Sequence, residues 1–539
     1  MTVSALVVPK ALGYAGIAGV PIQNGLYAAA AGSLIYAIFG TSRQISTGPS
    51  SALAAVAAST LLATGVSDGE DSIAIVTAIT MLSGLMFILL AVFRMGWISQ
   101  FLSKAVITGF LFGAAIEVVI GELPKLTSTQ VTGSNAWQKL GSWLGTLDEI
   151  HTASLVVGLA ALVLIIAVRF LAASVPGALV LVVGGLMASW IFDLEGRGVA
   201  LVGEVPRGFA APGLPDLQLF LDNAALITTA ALGLLLIGFS QSAGDARSFA
   251  ARHQYPIDIN QESLAQGMSN VGSSVVQGIP VSTSLSASSL NDSSGAKSPL
   301  ASLTTGLAIV LTLIALAPLF SDLPKPVLAA LIIDAVVFGM MDIAEMKRLF
   351  RVDRFDFWIA IASIVAVILA GVLAGVAIGV VLSIGWLIYV SATPESPELG
   401  RRPGSEVFRS LSEYPDYERH EGLLVLRFDG GLFFCTADAL EDRIREAALD
   451  RAEPIRAVVI DFEGVNFIDS QGAAKITEIQ TLAEGAGLTL HLARVKPEVL
   501  WVLVADGAVA RLGRDHFHGH VHGAVVAAMD DMRTPLTEG

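Results

Sequence analysis

Eleven apolar stretches, each long enough to cross a bilayer, follow one another through the first 396 residues: 22–40, 48–66, 71–94, 103–121, 152–172, 174–193, 223–243, 297–319, 323–341, 354–373 and 371–396. A hydrocarbon layer about 30 Å thick takes about 20 apolar residues in helical form. A buried helix of a large soluble protein would explain one such stretch but not the whole succession. The chain is therefore expected to be a polytopic α-helical membrane protein. The last two stretches adjoin, which predicts a turn near Gly371 or Gly375. Segments 1–20, 260–279 and 281–290 are apolar but short or rich in small polar residues, and with them the count reaches about fourteen membrane elements, some crossing only partly. Only eight residues precede Pro9, roughly 12 Å of helix. The first helix is thus expected to be truncated, or the true start to lie upstream.

Charge divides the chain. Of 79 charged residues, 39 follow Pro397 (24 acidic, 15 basic), which predicts a long membrane domain over 1–392, a linker over 393–421 and a soluble domain over 422–539. Arg43, Arg94, Lys104, Arg169, Arg247, Arg252, Lys347, Arg348, Arg351 and Arg354 fall on one side if spans alternate. That side is expected to be cytoplasmic, with both termini on it and the loops 122–151 and 194–222 outside. In the tail, Gly422–Phe428, Leu432–Phe434, Ala457–Phe462 and Leu488–Val495 read as strands. Ala437–Leu449, Gln471–Glu484, Glu498–Leu512 and Ala524–Met532 read as helices, giving a compact α/β domain.

Several classes are excluded. The net charge of −15 leaves no basic footprint for nucleic acid, and a single cysteine, Cys435, excludes internal disulfides and cysteine zinc sites. There is no phosphate-binding loop or dinucleotide fingerprint, so neither ATP nor another cofactor is expected. His516, His518, His520 and His522 alternate and on a strand would share a face. A half-exposed edge strand shows the same alternation, so no metal is assigned there.

Two segments are out of character for lipid. Thr41-Ser42-Arg43-Gln44-Ile45-Ser46-Thr47-Gly48-Pro49-Ser50-Ser51 leads into Ala52–Ser59, and Gly278-Ile279-Pro280-Val281-Ser282-Thr283-Ser284-Leu285-Ser286-Ala287-Ser288-Ser289 repeats the design. Each sets a proline and clustered hydroxyls before a helical run of small residues. Irregular backbone at membrane depth is tolerated only where it is buried in protein or lines a cavity, and paired interruptions in the two halves of a transporter point to its binding site. A helix starting inside the membrane offers free N–H groups and a positive dipole end to an anion. Ser50, Ser51, Ser284 and Ser286 would add donors without charge. The same small residues would also let helices pack closely.

Pro9-Lys10-Ala11-Leu12-Gly13-Tyr14-Ala15, Ala18-Gly19-Val20-Pro21 and Gly25-Leu26-Tyr27 resemble the first-helix signature of the sulfate permease (SulP) anion transporters, relatives of animal solute carrier family 26. Gly40–Pro49, Gly121-Glu122-Leu123-Pro124-Lys125-Leu126, Tyr255-Pro256-Ile257-Asp258-Ile259-Asn260-Gln261-Glu262 and 278–295 are similar to that family too. The tail resembles its STAS domain, most clearly at Asn466-Phe467-Ile468-Asp469-Ser470-Gln471-Gly472. The resemblance implies a 7+7 inverted repeat of fourteen transmembrane segments, with a core domain sliding elevator-fashion against a gate domain. It also implies homodimers in the plasma (inner) membrane with the STAS domain cytoplasmic, and no enzymatic activity. The substrate would sit between the half-helices of segments three and ten, reached by Lys10 and Tyr14 of segment one and Gln241 of segment eight. Sulfate is the expected anion, with bicarbonate or a C4-dicarboxylate as alternatives. A channel-like uncoupled conductor, or a regulator with vestigial transport, are competing readings. The Ser-rich tenth segment and the tail argue against a nucleobase carrier.

The sequence departs from its relatives at instructive places. Lys10 stands where many have Gln, Ala287 where many have Arg, and Gln241 where many bacterial members have Glu. Lys10 is therefore expected to supply the charge for the anion, unless it snorkels to the interface or pairs with Asp245. Asp245, Glu117 and Asp334 are candidates for coupling to a proton or sodium ion, since acids within spans are costly and tend to be functional. In the tail, Gln471 occupies the place where sporulation anti-sigma antagonists carry a phosphorylated serine, so that switch is not expected here.

Overall fold

The computed structural model describes residues 2–66, 69–96, 103–133, 136–171, 175–449 and 453–533, which form two compact units, Met1–Ser383 and Ile384–Gly539. Position 1 of the first segment, 172 and 174 of the expected spans, 134–135 of the expected outer loop, and 450–452 and 534–539 of the tail domain lie outside the described residues.

The membrane unit follows the chain as α1 (Thr2–Ala18), α2 (Ile22–Phe39), strand β1 (Thr47–Pro49), α3 (Ser51–Thr64), α4 (Glu70–Val92), α5 (Lys104–Thr127), α6 (Thr152–Leu171) and α7 (Gly177–Phe192). The second half repeats it: α8 (Ala224–His253), α9 (Ile259–Val275), strand β2 (Val281–Thr283), α10 (Leu285–Ser293), α11 (Leu300–Ala315), α12 (Lys325–Met340), α13 (Arg354–Ala370) and α14 (Val372–Ala392). Packing exposes the repeat. Helix α2 lies on α11 as α9 lies on α4, α5 on α13 as α12 on α6, and α1 on α10 as α8 on α3. Shifting each member by seven helices converts one pair into the other, the signature of a 7+7 inverted repeat. Among the described residues seven helices are long and apolar enough to cross a bilayer by themselves, while α1, α3, α7 and α11 are shorter and apolar.

Small residues make the close approaches possible. A Cβ on Gly25 of α2 would lie 2.0 Å from the Ala11 carbonyl oxygen of α1, so only glycine fits at this crossing. The predicted turn between the last two spans falls at Gly371, whose φ of +88° suits glycine, and the next amide, Val372 N, donates to Ser59 Oγ at 3.1 Å.

Two helices outrun their apolar stretches. Helix α5 continues through the expected outer loop to Thr127, because Glu122 and Lys125 neutralise one another at 2.7 Å, one turn apart. Helix α8 runs on to His253 on polar turns carrying Arg247 and Arg252, since helical geometry does not end where hydrophobicity does. The remainder of the 122–151 loop holds a further helix, Ala136–Gly145.

The second unit is built on a parallel four-stranded sheet in the order β5 (Leu423–Arg427), β6 (Ala457–Asp461), β7 (Thr489–Ala493), β8 (Phe517–His518). Its main helices are α15 (Ala437–Leu449), α16 (Ser470–Gly485), α17 (Pro497–Asp506) and α18 (Val521–Arg533). Three expectations are corrected. The linker 393–421 is not plain linker, for it holds an antiparallel hairpin, β3 (Leu399–Arg401) with β4 (Phe408–Ser410), and Leu399 packs with Leu423 and Val525. The 432–434 strand shrinks to one bridge, Leu432 to Ile468, and the helix over 498–512 breaks at Gly507, φ +87°. Nor do the four histidines share a strand: only 517–518 is extended, and His522 lies in α18. Burial, together with the neighbouring His516 and His518, pushes the His491 imidazole of β7 down to about 3, so it is neutral at pH 7.

Candidate functional site

Proline sets the geometry. It cannot donate within a helix, and it pushes the residue before it into extended backbone. Gly48-Pro49 and Ile279-Pro280 therefore hold their segments out of helix, and the two extended pieces pair with each other. β1 and β2 form an antiparallel ladder, Thr47 opposite Thr283, Gly48 opposite Ser282, Pro49 opposite Val281. Each strand then turns into a helix through an extended serine, Ser50 (φ −122°, ψ 133°) before α3 and Ser284 (φ −120°, ψ 107°) before α10. The first intrahelical donors are Ala54 N and Ser288 N, bonded to the Ser50 and Ser284 carbonyls at 2.9 and 2.8 Å. Ahead of them, Ala287 N donates to Ser284 Oγ at 3.4 Å, and the remaining first-turn amides of both helix starts have no partner within their own helices.

The backbone around the ladder is satisfied by side chains from its neighbours, as burial without water demands. The buried Glu262 carboxylate accepts from Tyr36 Oη (2.6 Å), Thr41 N (2.8 Å), Thr41 Oγ1 (2.5 Å) and Ser42 N (3.0 Å), clamping the run into β1. Ser33 Oγ donates to the Thr47 carbonyl (3.0 Å), Ser302 Oγ to the Ile45 carbonyl (3.0 Å), and Ser288 Oγ accepts from Ser46 N (2.9 Å). On the other side Asn270 pairs with both backbone groups of Val281, each at 3.0 Å, and Ser273 Oγ donates to the Ile279 carbonyl at 2.7 Å. Much of the hydroxyl cluster read from sequence thus supports the ladder.

What remains faces a small cavity lined by Val7, Lys10, Ala11 and Tyr14 of α1, by Ser46, Gly48 and Pro49, and by Ser284 and Ala287. Lys10 Nζ donates to Ser286 Oγ at 2.9 Å. Among the described residues no carboxylate lies within 4 Å of this ammonium, and Asp245 accepts instead from Thr283 Oγ1 at 2.8 Å. The charge of Lys10 is therefore not neutralised by a direct ion pair. Asp334 is the acid whose field reaches it, but Asp334 is itself gripped by Arg169, Nε to Oδ1 at 3.0 Å and Nη2 to Oδ2 at 2.6 Å. Arg169 also lies over the Phe338 ring, 4.2 Å from its centroid.

The predicted residues therefore separate. Lys10, Tyr14 and Ser284 line the cavity, and Ser286 joins them through Lys10. Ser50 and Ser51 stand at the start of α3, with Ser51 in hydrogen-bonding reach of Tyr14. Gln241 and Asp245 sit behind the ladder, bonded to Ser282 (3.4 Å) and Thr283. Glu117 on α5 has a buried Oε2 with no hydrogen-bond partner among the described residues. Sequence reasoning did not single out Arg169 as a partner, Glu262 as a clamp, or Asn270. An arginine inside an apolar span was the available signal for the first.

The sulfate permease family profile matches residues 1–363 and the STAS domain profile residues 414–524. A probable sulfate transporter of Mycobacterium tuberculosis is 30% identical over 527 residues, covering 98% of this chain and 94% of its own. Sulfate transporter 4.1, chloroplastic, of Arabidopsis thaliana is 29% identical, covering 100% of this chain and 80% of its own. The fold matches that of the murine solute carrier 26 family member A9 anion transporter in its inward-facing state, with a TM-score of 0.89 at 21% identity over 98% of this chain and 90% of that one. It also matches the transmembrane domain of a cyanobacterium bicarbonate transporter, BicA, with a TM-score of 0.63 at 21% identity over 69% and 94% of the two chains.

Proposed function

This chain belongs to the sulfate permease family, and from that premise we propose that it is a secondary active transporter of small anions, with sulfate as the substrate. The observation that carries the reading is Lys10, a cation with no carboxylate within 4 Å among the described residues, placed on Ser286 beside the starts of α3 and α10. An arriving oxyanion would take over the Lys10 ammonium and the Ser284 and Ser286 hydroxyls, and meet the amides of both helix starts. Charge-assisted bonds of this kind are about twice as strong as neutral ones. Tyr14, Ser50, Ser51 and Gln241 would complete the surroundings. The cavity is small, so the anion enters as the Lys10–Ser286 bond opens.

The packing is compatible with movement of one group of helices against another. Helices α1–α4 and α8–α11 would form the core that carries the ladder, and α5–α7 with α12–α14 the gate, stiffened by Arg169 and Asp334 across α6 and α12. An elevator-like shift of core against gate would expose the anion to each side in turn. Residues 1–392 would transport and 422–539 form the STAS domain, in a homodimer of the plasma membrane with the STAS domain cytoplasmic. Asp245, Glu117 and Asp334 are the places where a coupling proton or sodium ion would act.

The test is uptake of labelled sulfate by purified protein in vesicles, competed in turn by bicarbonate, chloride, nitrate, oxalate, succinate and fumarate. Unlabelled sulfate, added as a further competitor, is expected to compete better than any of these, and sulfate to give a current that reverses with the coupling-ion gradient. A preference for bicarbonate or a dicarboxylate would reassign the substrate, and a current indifferent to every ion gradient but the anion's own would indicate a conductor. An unaltered pH profile in Asp245→Asn and in the Glu117→Gln/Asp334→Asn pair would remove all three acids from proton coupling, and an unaltered sodium dependence in the same variants would remove them from sodium coupling.

A further inference from the structure

We propose that the second unit binds one divalent transition-metal ion of the zinc type between His491, His516 and Asp531. The three residues arrive from separate elements: β7, the single turn Arg514–His516 ahead of β8, and α18. One ligand atom of each lies within 4.8 Å of the others. Two imidazoles and a carboxylate form a borderline donor set suited to zinc, and three protein ligands leave a fourth position for water.

One hydrogen bond fixes the tautomer of His516, and a second is compatible with the His491 tautomer that a metal needs. His516 Nδ1 lies 2.8 Å from the Leu490 carbonyl oxygen, which can only accept, so that nitrogen carries the proton and Nε2 keeps its lone pair. His491 Nδ1 lies 3.2 Å from His518 Nε2, and donation there likewise frees His491 Nε2 as a ligand. An imidazole that ligates a metal through one nitrogen while its other N–H is held by a carbonyl or side chain is the usual arrangement in metal proteins. His491 Nε2 is buried and lies 3.2 Å from Asp531 Oδ2, yet the two are not aligned for a hydrogen bond. A buried ring nitrogen without a partner, next to a carboxylate and a second free imidazole nitrogen, is what an ion would satisfy. Metal–ligand bonds of about 2.0–2.2 Å need the donors somewhat closer together than they stand. Binding therefore also requires the His516 ring, stacked on His491 with centroids 4.6 Å apart and planes 22° apart, to turn until both Nε2 lone pairs converge, with the 44% exposed Asp531 side chain following.

The histidine run contributes only in part. His520 Nδ1 accepts from Gly523 N at 2.8 Å within its own turn, and His522 Nε2 lies 3.8 Å from Glu406. Two of the three ligands, His491 and Asp531, come from outside the run.

The test uses the full-length protein in detergent, stripped with a chelator, dialysed and titrated with zinc chloride. Heat and bound-metal content are measured after desalting. One zinc per chain is expected, with a rise in the thermal unfolding temperature because the ion binds the folded form. His516→Gln and Asp531→Asn should each abolish retention with the far-ultraviolet circular dichroism unchanged. His518→Ala, which removes the support of His491, should weaken affinity by about 10–100-fold. The His520→Gln/His522→Gln variant should bind as before. The proposal is overturned if the stripped protein retains no zinc, if His516→Gln and Asp531→Asn retain it undiminished, or if the His520/His522 variant alone loses it. A bare His518–His491–Asp531 relay would give the first result.

Discussion

The two broken segments share a plan and differ in how they hold charge. The β2–α10 start is reinforced: Ser284 Oγ caps it by accepting from Ala287 N at 3.4 Å, and Ser286 is held by Lys10. The β1–α3 start has no such help, since Ser50 makes no capping bond and α3 is almost entirely alanine, leucine and serine. One helix start therefore acts through a neighbouring side-chain cation and hydroxyls, the other through backbone amides, dipole and the uncharged Ser50 and Ser51 hydroxyls. The cation does not belong to either broken segment. It is delivered by α1, which lies against both, so the segments can be near-symmetric while the site between them is not.

Four substitutions probe this contrast. Lys10→Met removes the only side-chain charge among the described residues that line the cavity. The loss should approach 3 kcal/mol, about a hundredfold in apparent sulfate affinity in vesicle uptake. A change below about threefold would mean that the helix starts suffice. Next comes Glu262→Gln, which strips the charge from a carboxylate accepting four hydrogen bonds. It should destabilise the membrane unit by about 2–3 kcal/mol in thermal unfolding. An unchanged unfolding temperature would show that the run into β1 holds without its clamp. Ser284→Ala should cost about 1 kcal/mol, read as roughly fivefold weaker sulfate binding. Ser50→Ala should cost no more than a few tenths of a kcal/mol, because no cap is lost. Equal losses at Ser284 and Ser50 would erase the distinction between the two starts.

Eleven of the membrane elements were legible because bilayer thickness imposes a length on apolar sequence, whereas 1–20, 260–279 and 281–290 are too short or too polar for length to mark them. The positions of Pro49 and Pro280, each ahead of a hydroxyl-rich run, marked both broken segments. What could not be read was the pairing of those segments into a ladder, since nothing local in Thr47–Pro49 names Val281–Thr283 as its partner. For the same reason the serines could not be sorted. Ser288 and Ser284 look alike in sequence, yet one serves Ser46 N and the other faces the cavity. Asp334 stood out as an acid within a span, but its occupation by Arg169 depends on the packing of α6 against α12. In the tail the 437–449 helix was read to the residue, whereas the β3–β4 hairpin was hidden by Pro394, Pro397 and dense charge.

The ladder has a consequence for how this gene can change. Three residues of β1 are matched to three of β2, with Glu262 fixing the chain just before one strand and Asn270 the chain within the other. Inserting or deleting one codon between Thr41 and Ser50 would slip the match by a residue and turn every side chain in it to the opposite face. Point substitutions there can be absorbed singly. Changes of length cannot, unless the opposing strand shifts in concert.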